Sequence, residues 1–294
     1  MKIEAELATW AFEEGEEIAP GRRALRLLGG GFRYEAYLAT DEEMLALVVA
    51  KILRPDSVSD AGALAGLGAE SGALRGLDHP VLPRCFDAVL HGSRPHLLLE
   101  FVEGPRLSTL LRKYGILAYE QAIPLATQLC SVLHYMARRG MVHLDVKPRN
   151  IIMSGPPRLI DLSVARGIHE AERLDTQVGT DAYMAPEQCT PSPGRVGPAA
   201  DVWGLGVTLY ESLVGEPAFP RGSEEDGASA GKRFPQLTHR PAPMPSRVPS
   251  ELAGAVDAAL AYEPEDRPTA REMAEAVEPL LRRPRRLVLN RLKP

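Results

Sequence analysis

Asp145, Lys147 and Asn150 fall within the stretch His143-Leu-Asp-Val-Lys-Pro-Arg-Asn150, and Asp161 follows eleven residues later. Two carboxylates, an amide and an ammonium this close along the chain constrain the fold, because a short strand-loop-strand segment has to aim all four at one small volume. That set is the equipment of metal-assisted phosphoryl transfer, where positioning and charge stabilisation rather than covalent chemistry lower the barrier. Taken alone, the same residues also read as turns: Pro and Asn are turn formers, and an Asp after the run Pro157-Arg-Leu-Ile160 can close one.

The distances to other residues decide for the chemical reading. Lys51 ends the apolar run Leu45-Ala-Leu-Val-Val-Ala50, which predicts a central strand. Glu70 lies 19 residues further on, in a segment 61–77 whose Leu64, Leu67, Leu74 and Leu77 recur at helical spacing. The cluster Gly29-Gly30-Gly31 sits between two strand-like runs, which predicts a β-hairpin, although a lone glycine cluster is more often a plain turn. Downstream stand Gly179-Thr180-Asp-Ala-Tyr-Met-Ala-Pro-Glu187, the apolar helix pattern Asp201-Val-Trp-Gly-Leu-Gly206, and Asp266-Arg267-Pro268. Asp201 is placed to cap the helix it begins, and Pro268 near a helix start is compatible with a first turn.

In this order and spacing the motifs resemble those of the Hanks-type (eukaryotic-like) Ser/Thr protein kinases. The resemblance implies an α+β, bilobal protein-kinase fold, with a small β-rich N-lobe carrying one main helix and a larger, mostly α-helical C-lobe. It implies ATP and Mg2+, or Mn2+, as cofactors and protein Ser/Thr hydroxyls as acceptors, the kinase's own among them. Asp145 would be the base, Lys147 the cation over the transferred phosphoryl, Asn150 and Asp161 the metal ligands, and Lys51–Glu70 the ion pair that positions the phosphates. Gly29, Gly31, Ala36, Glu100, Val102 and Ile152 would line the nucleotide, with Leu99 as gatekeeper. Thr180 would bond near Asp145 and Lys147 in the substrate-docking segment, and Arg267 would pair with Glu187. His143 would be a packed, orienting residue, and Asp201 would brace the catalytic loop.

Three departures from the family pattern stand out: Tyr34 where the third loop glycine belongs, Leu144 before the base, and Ser163 in Asp161-Leu-Ser163. Leu144 occupies the place of the arginine that pairs with an activation-loop phosphate, so a phosphate on Thr176 would lack that partner, with Arg166 or Arg173 as substitutes. The departures keep a second reading open, a nucleotide-binding pseudokinase scaffold. A small-molecule phosphotransferase of the aminoglycoside type is a third, but it is not expected to carry Ala185-Pro-Glu187 or Asp266-Arg-Pro268.

Composition agrees and excludes a few classes. At 294 residues and 45% apolar the chain can bury a bilobal core. A net charge of −5 leaves no nucleic-acid footprint. Cys85, Cys130 and Cys189 are odd in number and far apart, so neither a disulfide framework nor a zinc site is expected, and reduced thiols suggest a cytoplasmic location. No membrane span or signal pattern is read. Arginine in excess of lysine, with abundant Ala, Gly and Pro, fits a GC-rich, bacterial coding sequence. The expected organisation is an acidic solvated lead-in over 1–20, N-lobe over 21–101, hinge over 102–104, C-lobe over 105–283 and a basic tail over 284–294. Within the C-lobe, the Pro- and Gly-rich stretch 219–250 reads as a long surface loop.

Overall fold

The computed structural model describes residues 7–225 and 227–282. The chain forms two compact units, one built from the chain up to Arg106 together with Asn150–Gly167, the other from Leu107–Arg149 and the chain from Ile168 onward.

The first unit is an antiparallel sheet of β1 (Glu17–Ala19), β2 (Arg22–Gly30), β3 (Tyr34–Asp41), β4 (Ala46–Leu53), β5 (Cys85–Val89) and β6 (His96–Glu100), in the order β1-β2-β3-β4-β6-β5. The period-2 rule splits its side chains between two faces. Ile18, Ala24, Tyr37, Ala39, Val48, Ala50, Ile52 and Leu98 form one core. Leu53 and Leu97 pack instead with Ala63 and Leu67 of helix α1 (Ala61–Gly76). The Asp60 side chain caps α1 by accepting the Ala63 N–H at 2.6 Å, satisfying one of the free donors of its first turn. Five glycines interrupt the helix, at 62, 66, 68, 72 and 76. A short hairpin of Ile151–Ile152 with Arg158–Leu159 belongs to the same unit and is tied to it by the Leu159 N–H on the Val81 carbonyl, 2.8 Å.

The second unit contains α2 (Leu107–Tyr114), α3 (Tyr119–Arg138), the one-turn α4 (Ile168–Ala171) and α5 (Pro186–Cys189), α6 (Pro198–Val214), the one-turn α7 (Ala230–Arg233), α8 (Ser250–Ala259) and α9 (Ala270–Leu281). Helix α3 packs against α6 and α9, and α8 against the same two. Almost every residue of α6 is buried, as expected of a helix that is apolar on all faces.

One segment differs from the sequence expectation and a second agrees with it but carries an anchor. Part of the lead-in is no solvated tail: Glu17–Ala19 is an edge strand, and Trp10 and Phe12 pack on the sheet core. Their rings outweigh the local excess of Glu. The stretch 219–250 is largely irregular, as expected, with the single turns Ala230–Arg233 and Pro235–Leu237 and a buried anchor within it. Phe234 is buried with Met184 and Cys189, and Gln236 donates to the carbonyls of Asp181 (2.6 Å) and Met184 (3.1 Å). The tail over 284–294 lies outside the described residues.

Candidate active site

In the first unit, strand pairing sets Lys51 of β4 opposite Ala36 of β3. The Lys51 ammonium donates to both Glu70 oxygens, at 2.8 and 2.7 Å, and to Asp161 Oδ1 at 2.8 Å. Burial alone would lower the Lys51 pKa, but the carboxylates of Glu70 and Asp161 outweigh it and hold the ammonium above the usual lysine value. Burial pushes the Glu70 carboxyl up, against the pull of Lys51. The Tyr34 ring lies under the same ammonium, with its centroid 4.8 Å from Nζ.

Asn150 and Asp161 sit at the two ends of the short hairpin, and the Ile160 N–H on the Asn150 carbonyl, 2.8 Å, ties those ends together. Asp161 has φ +69°. The left-handed conformation in this triplet is taken by the aspartate, a residue type that tolerates it, and Ser163 is not among the residues with positive φ.

Gly29 and Gly31, the two positions that fit the loop motif, have open space where a Cβ would stand. Gly29 is constrained by its backbone, at φ +142°, and Gly30 by space, for its Cβ would meet the Tyr34 carbonyl at 2.7 Å. Motif spacing alone passed over Gly30. At the far end of the unit the Glu100 N–H is taken by the Arg84 carbonyl (2.9 Å), and its carboxylate pairs with Arg158 (3.3 Å) and Arg84 (3.4 Å). Val102 is buried, Ala36 and Ile152 half-buried.

In the second unit, Lys147 donates to Asp145 Oδ2 at 2.6 Å and to Thr180 Oγ1 at 2.5 Å, and the Thr180 hydroxyl donates to Asp145 Oδ1 at 2.7 Å. The triangle fixes a carboxylate, an ammonium and a hydroxyl at once. Thr180 is held there by its neighbours. Gly179 has φ +121°, and a Cβ on it would stand 2.7 Å from the Leu144 carbonyl. Gln188, a residue the motifs do not single out, donates from its amide to the carbonyls of Leu144 (3.0 Å) and Val178 (2.8 Å), so it links the loop that carries Asp145 to the Thr180 segment. Its only sequence signal was its place beside Glu187.

Asp201 does not cap α6; it lies one turn in, and Gly197 holds the cap position. Its carboxylate accepts the His143 and Leu144 N–H groups, at 2.8 and 2.7 Å. His143 is fully buried and Nδ1 faces the Asp145 N–H at 3.3 Å. Arg267 bonds both Glu187 oxygens, at 2.7 and 2.8 Å, lies 4.9 Å from the Trp203 ring centroid, and donates to the carbonyls of Ala199, Ala261 and Tyr262. Thr176 is exposed and outside the Asp145–Lys147–Thr180 triangle.

With these arrangements in view, comparison with known proteins gives one consistent answer. The protein kinase domain model matches residues 23–277. The chain is 32% identical over 262 residues to the serine/threonine-protein kinase PknB of Mycolicibacterium smegmatis, covering 84% of this chain and 41% of that protein. It is 32% identical over 237 residues to PkaA of Streptomyces coelicolor, 78% of this chain and 42% of that protein, and 32% over 289 residues to PknK of Mycobacterium tuberculosis, 96% and 24%. All three are serine/threonine-protein kinases by name, and the chain spans less than half the length of each. The chain belongs to the protein kinase family and has its bilobal fold. Among the described residues no helix is long and apolar enough to cross a membrane.

Proposed function

We propose that the chain is a bacterial Ser/Thr protein kinase that transfers the γ-phosphoryl group of ATP, with Mg2+ or Mn2+, to Ser and Thr hydroxyls of proteins. The observation that carries the reading is the triangle of Asp145, Lys147 and Thr180, a carboxylate and an ammonium locked together by a threonine. Asp145 accepts the proton of the acceptor hydroxyl, and Lys147 balances the charge that grows on the phosphoryl oxygens. Lys51, already charged by its two carboxylates, binds the α and β phosphates while Glu70 keeps it in place.

The donor set fits a hard divalent cation: an Asn carboxamide and an Asp carboxylate, both oxygen ligands, at the two ends of one hairpin. Asn150 and Asp161 are the residues that would hold it. When bound, the ion neutralises charge on the phosphates. With its N–H held by the Arg84 carbonyl, Glu100 offers its own carbonyl, and Val102 its backbone groups, to the adenine edge, flanked by Ala36 and Ile152. Free thiols at Cys85, Cys130 and Cys189 support a reducing, cytoplasmic setting for the domain.

The test is transfer of label from ATP to casein or myelin basic protein by the wild type and by Asp145→Asn. Loss of positioned acid–base catalysis lowers rates by about 10² to 10⁴, with ATP binding retained. Equal turnover by the two proteins would exclude the mechanism.

A further inference from the structure

Residues 8–12 precede the region matched by the kinase family model, yet they are bound to the hairpin that the family motif assigns to phosphate binding. The link runs through two residues, Glu35 and Arg54. Glu35, at the start of β3, is 1% exposed. Its carboxylate accepts the Thr9 hydroxyl, the Trp10 N–H (3.1 Å), the Tyr37 hydroxyl (3.2 Å) and Arg54 Nη1 (2.9 Å). Two of these four donors come from the N-terminal segment. Arg54 Nη1 also donates to the Ala8 carbonyl at 2.9 Å, while its Nε donates to the Gly31 carbonyl at 2.9 Å and its N–H to the Arg33 carbonyl at 2.9 Å. One arginine thus holds both sides of the hairpin tip and the N-terminal segment together. The segment is fastened further by Trp10 Nε1 on the Leu53 carbonyl, 2.7 Å, and by the Arg94 guanidinium over the rings of Trp10 and Phe12, at 5.2 and 4.9 Å.

We infer that residues 8–12 are a strap that positions the glycine loop, with Thr9 and Trp10 acting as positioning residues through Glu35 and Arg54. The physical reason is the cost of a buried carboxylate that loses its donors. Without the strap, Glu35 keeps Tyr37 and Arg54 as donors among the described residues, and Arg54 is drawn toward it and away from the Gly31 carbonyl. The tip then loses the bond that a loop with Tyr34 in place of its third glycine relies on. In its effect on nucleotide affinity the inference rests on the kinase reading above.

The experiment compares the wild type with Thr9→Val, Trp10→Ala and Arg54→Lys by hydrogen–deuterium exchange without nucleotide and by titration with a fluorescent ADP analogue and Mg2+. Exchange over 28–35 is expected to quicken about tenfold in Trp10→Ala and Arg54→Lys and less in Thr9→Val, with exchange in α3 and α6 unchanged. The ADP dissociation constant is expected to rise about three- to tenfold in the same order, since a tenfold change corresponds to about 1.4 kcal/mol. Unchanged exchange over 28–35 in all three variants overturns the strap. So does a rise spread evenly over β1 to β6 in Trp10→Ala with Thr9→Val identical to the wild type, which makes the segment a prop for the sheet alone. Quickened exchange with unchanged ADP affinity overturns the link to nucleotide. A wild type that does not bind the analogue sinks the kinase reading, and the exchange data still decide the strap.

Discussion

The Asp201 carboxylate accepts the N–H of Leu144 at 2.7 Å, and Leu144 has φ +62°. A left-handed leucine is strained by roughly 1 to 3 kcal/mol and persists only where its surroundings determine it. Asp201 supplies that determination from α6, bonding the His143 amide with its other oxygen and so fixing the turn that leads into Asp145. Asp201→Ala leaves two buried N–H groups unsatisfied, at about 1 to 3 kcal/mol each. The expected result is a lower urea midpoint together with a fall in turnover.

The ion pair of Glu187 and Arg267 makes a different prediction. Both side chains are buried, and the guanidinium has backbone partners as well as the carboxylate. Removing one member of such a pair costs about 3 to 5 kcal/mol, so Arg267→Met should unfold at markedly lower denaturant. Arg267→Lys should recover little, because an ammonium cannot make the forked contact or stack on Trp203. Full recovery by lysine would show that charge alone matters.

Thr180 separates hydroxyl chemistry from packing. Thr180→Ser retains the bridge between Lys147 and Asp145 and should stay within a fewfold of wild-type turnover. Thr180→Val keeps the shape and loses the bridge, so a drop of about tenfold or more, 1.4 kcal/mol in barrier terms, is expected in kcat at fixed peptide.

Thr176 is exposed and Leu144 gives it no cation in the catalytic loop. Turnover of phosphatase-treated protein and of Thr176→Ala is therefore expected to match that of the untreated wild type. A loss beyond about tenfold would show that Arg173 or another cation takes the phosphate.

Thiol chemistry gives a pH test. Burial pushes the thiols of Cys130 and Cys189 up to about 12 and raises that of Cys85, which is the least buried of the three. Raised thiol pKa values mean scarce thiolate at neutral pH, and the thiolate is the reactive form. Native protein at pH 8 should label slowly with iodoacetamide at all three positions, Cys85 first, and all three should label rapidly in urea. Fast native labelling at Cys130 would contradict its burial.

What the sequence made legible was the family pattern that recurs at fixed spacing. Lys51, Glu70, Asp145, Asn150 and Asp161 announce themselves by residue type and distance along the chain, and the apolar patterns predicted the strand at Lys51 and the helix at Glu70. Contacts that depend on three-dimensional accident stayed hidden. Nothing in Glu35 or Arg54 distinguishes them from surface charges until the sheet brings Thr9 and Trp10 to them. The lead-in misled because its glutamates dominate composition while two aromatic rings decide its placement. The Pro-rich stretch is the loop its turn formers predict, but its anchoring by Phe234 and Gln236 was hidden, because it depends on residues elsewhere in the chain.

Helix α1 carries five glycines in 16 residues, and each lowers helix propensity by roughly 1 kcal/mol relative to alanine. Its order is then a property of what touches it: the Asp60 cap, the packing of Leu67, and above all the grip of Lys51 on Glu70. Such a helix owes its fold to its partners more than to its own residues, so the carboxylate that meets Lys51 is held in place by tertiary contacts and not by intrinsic helix propensity.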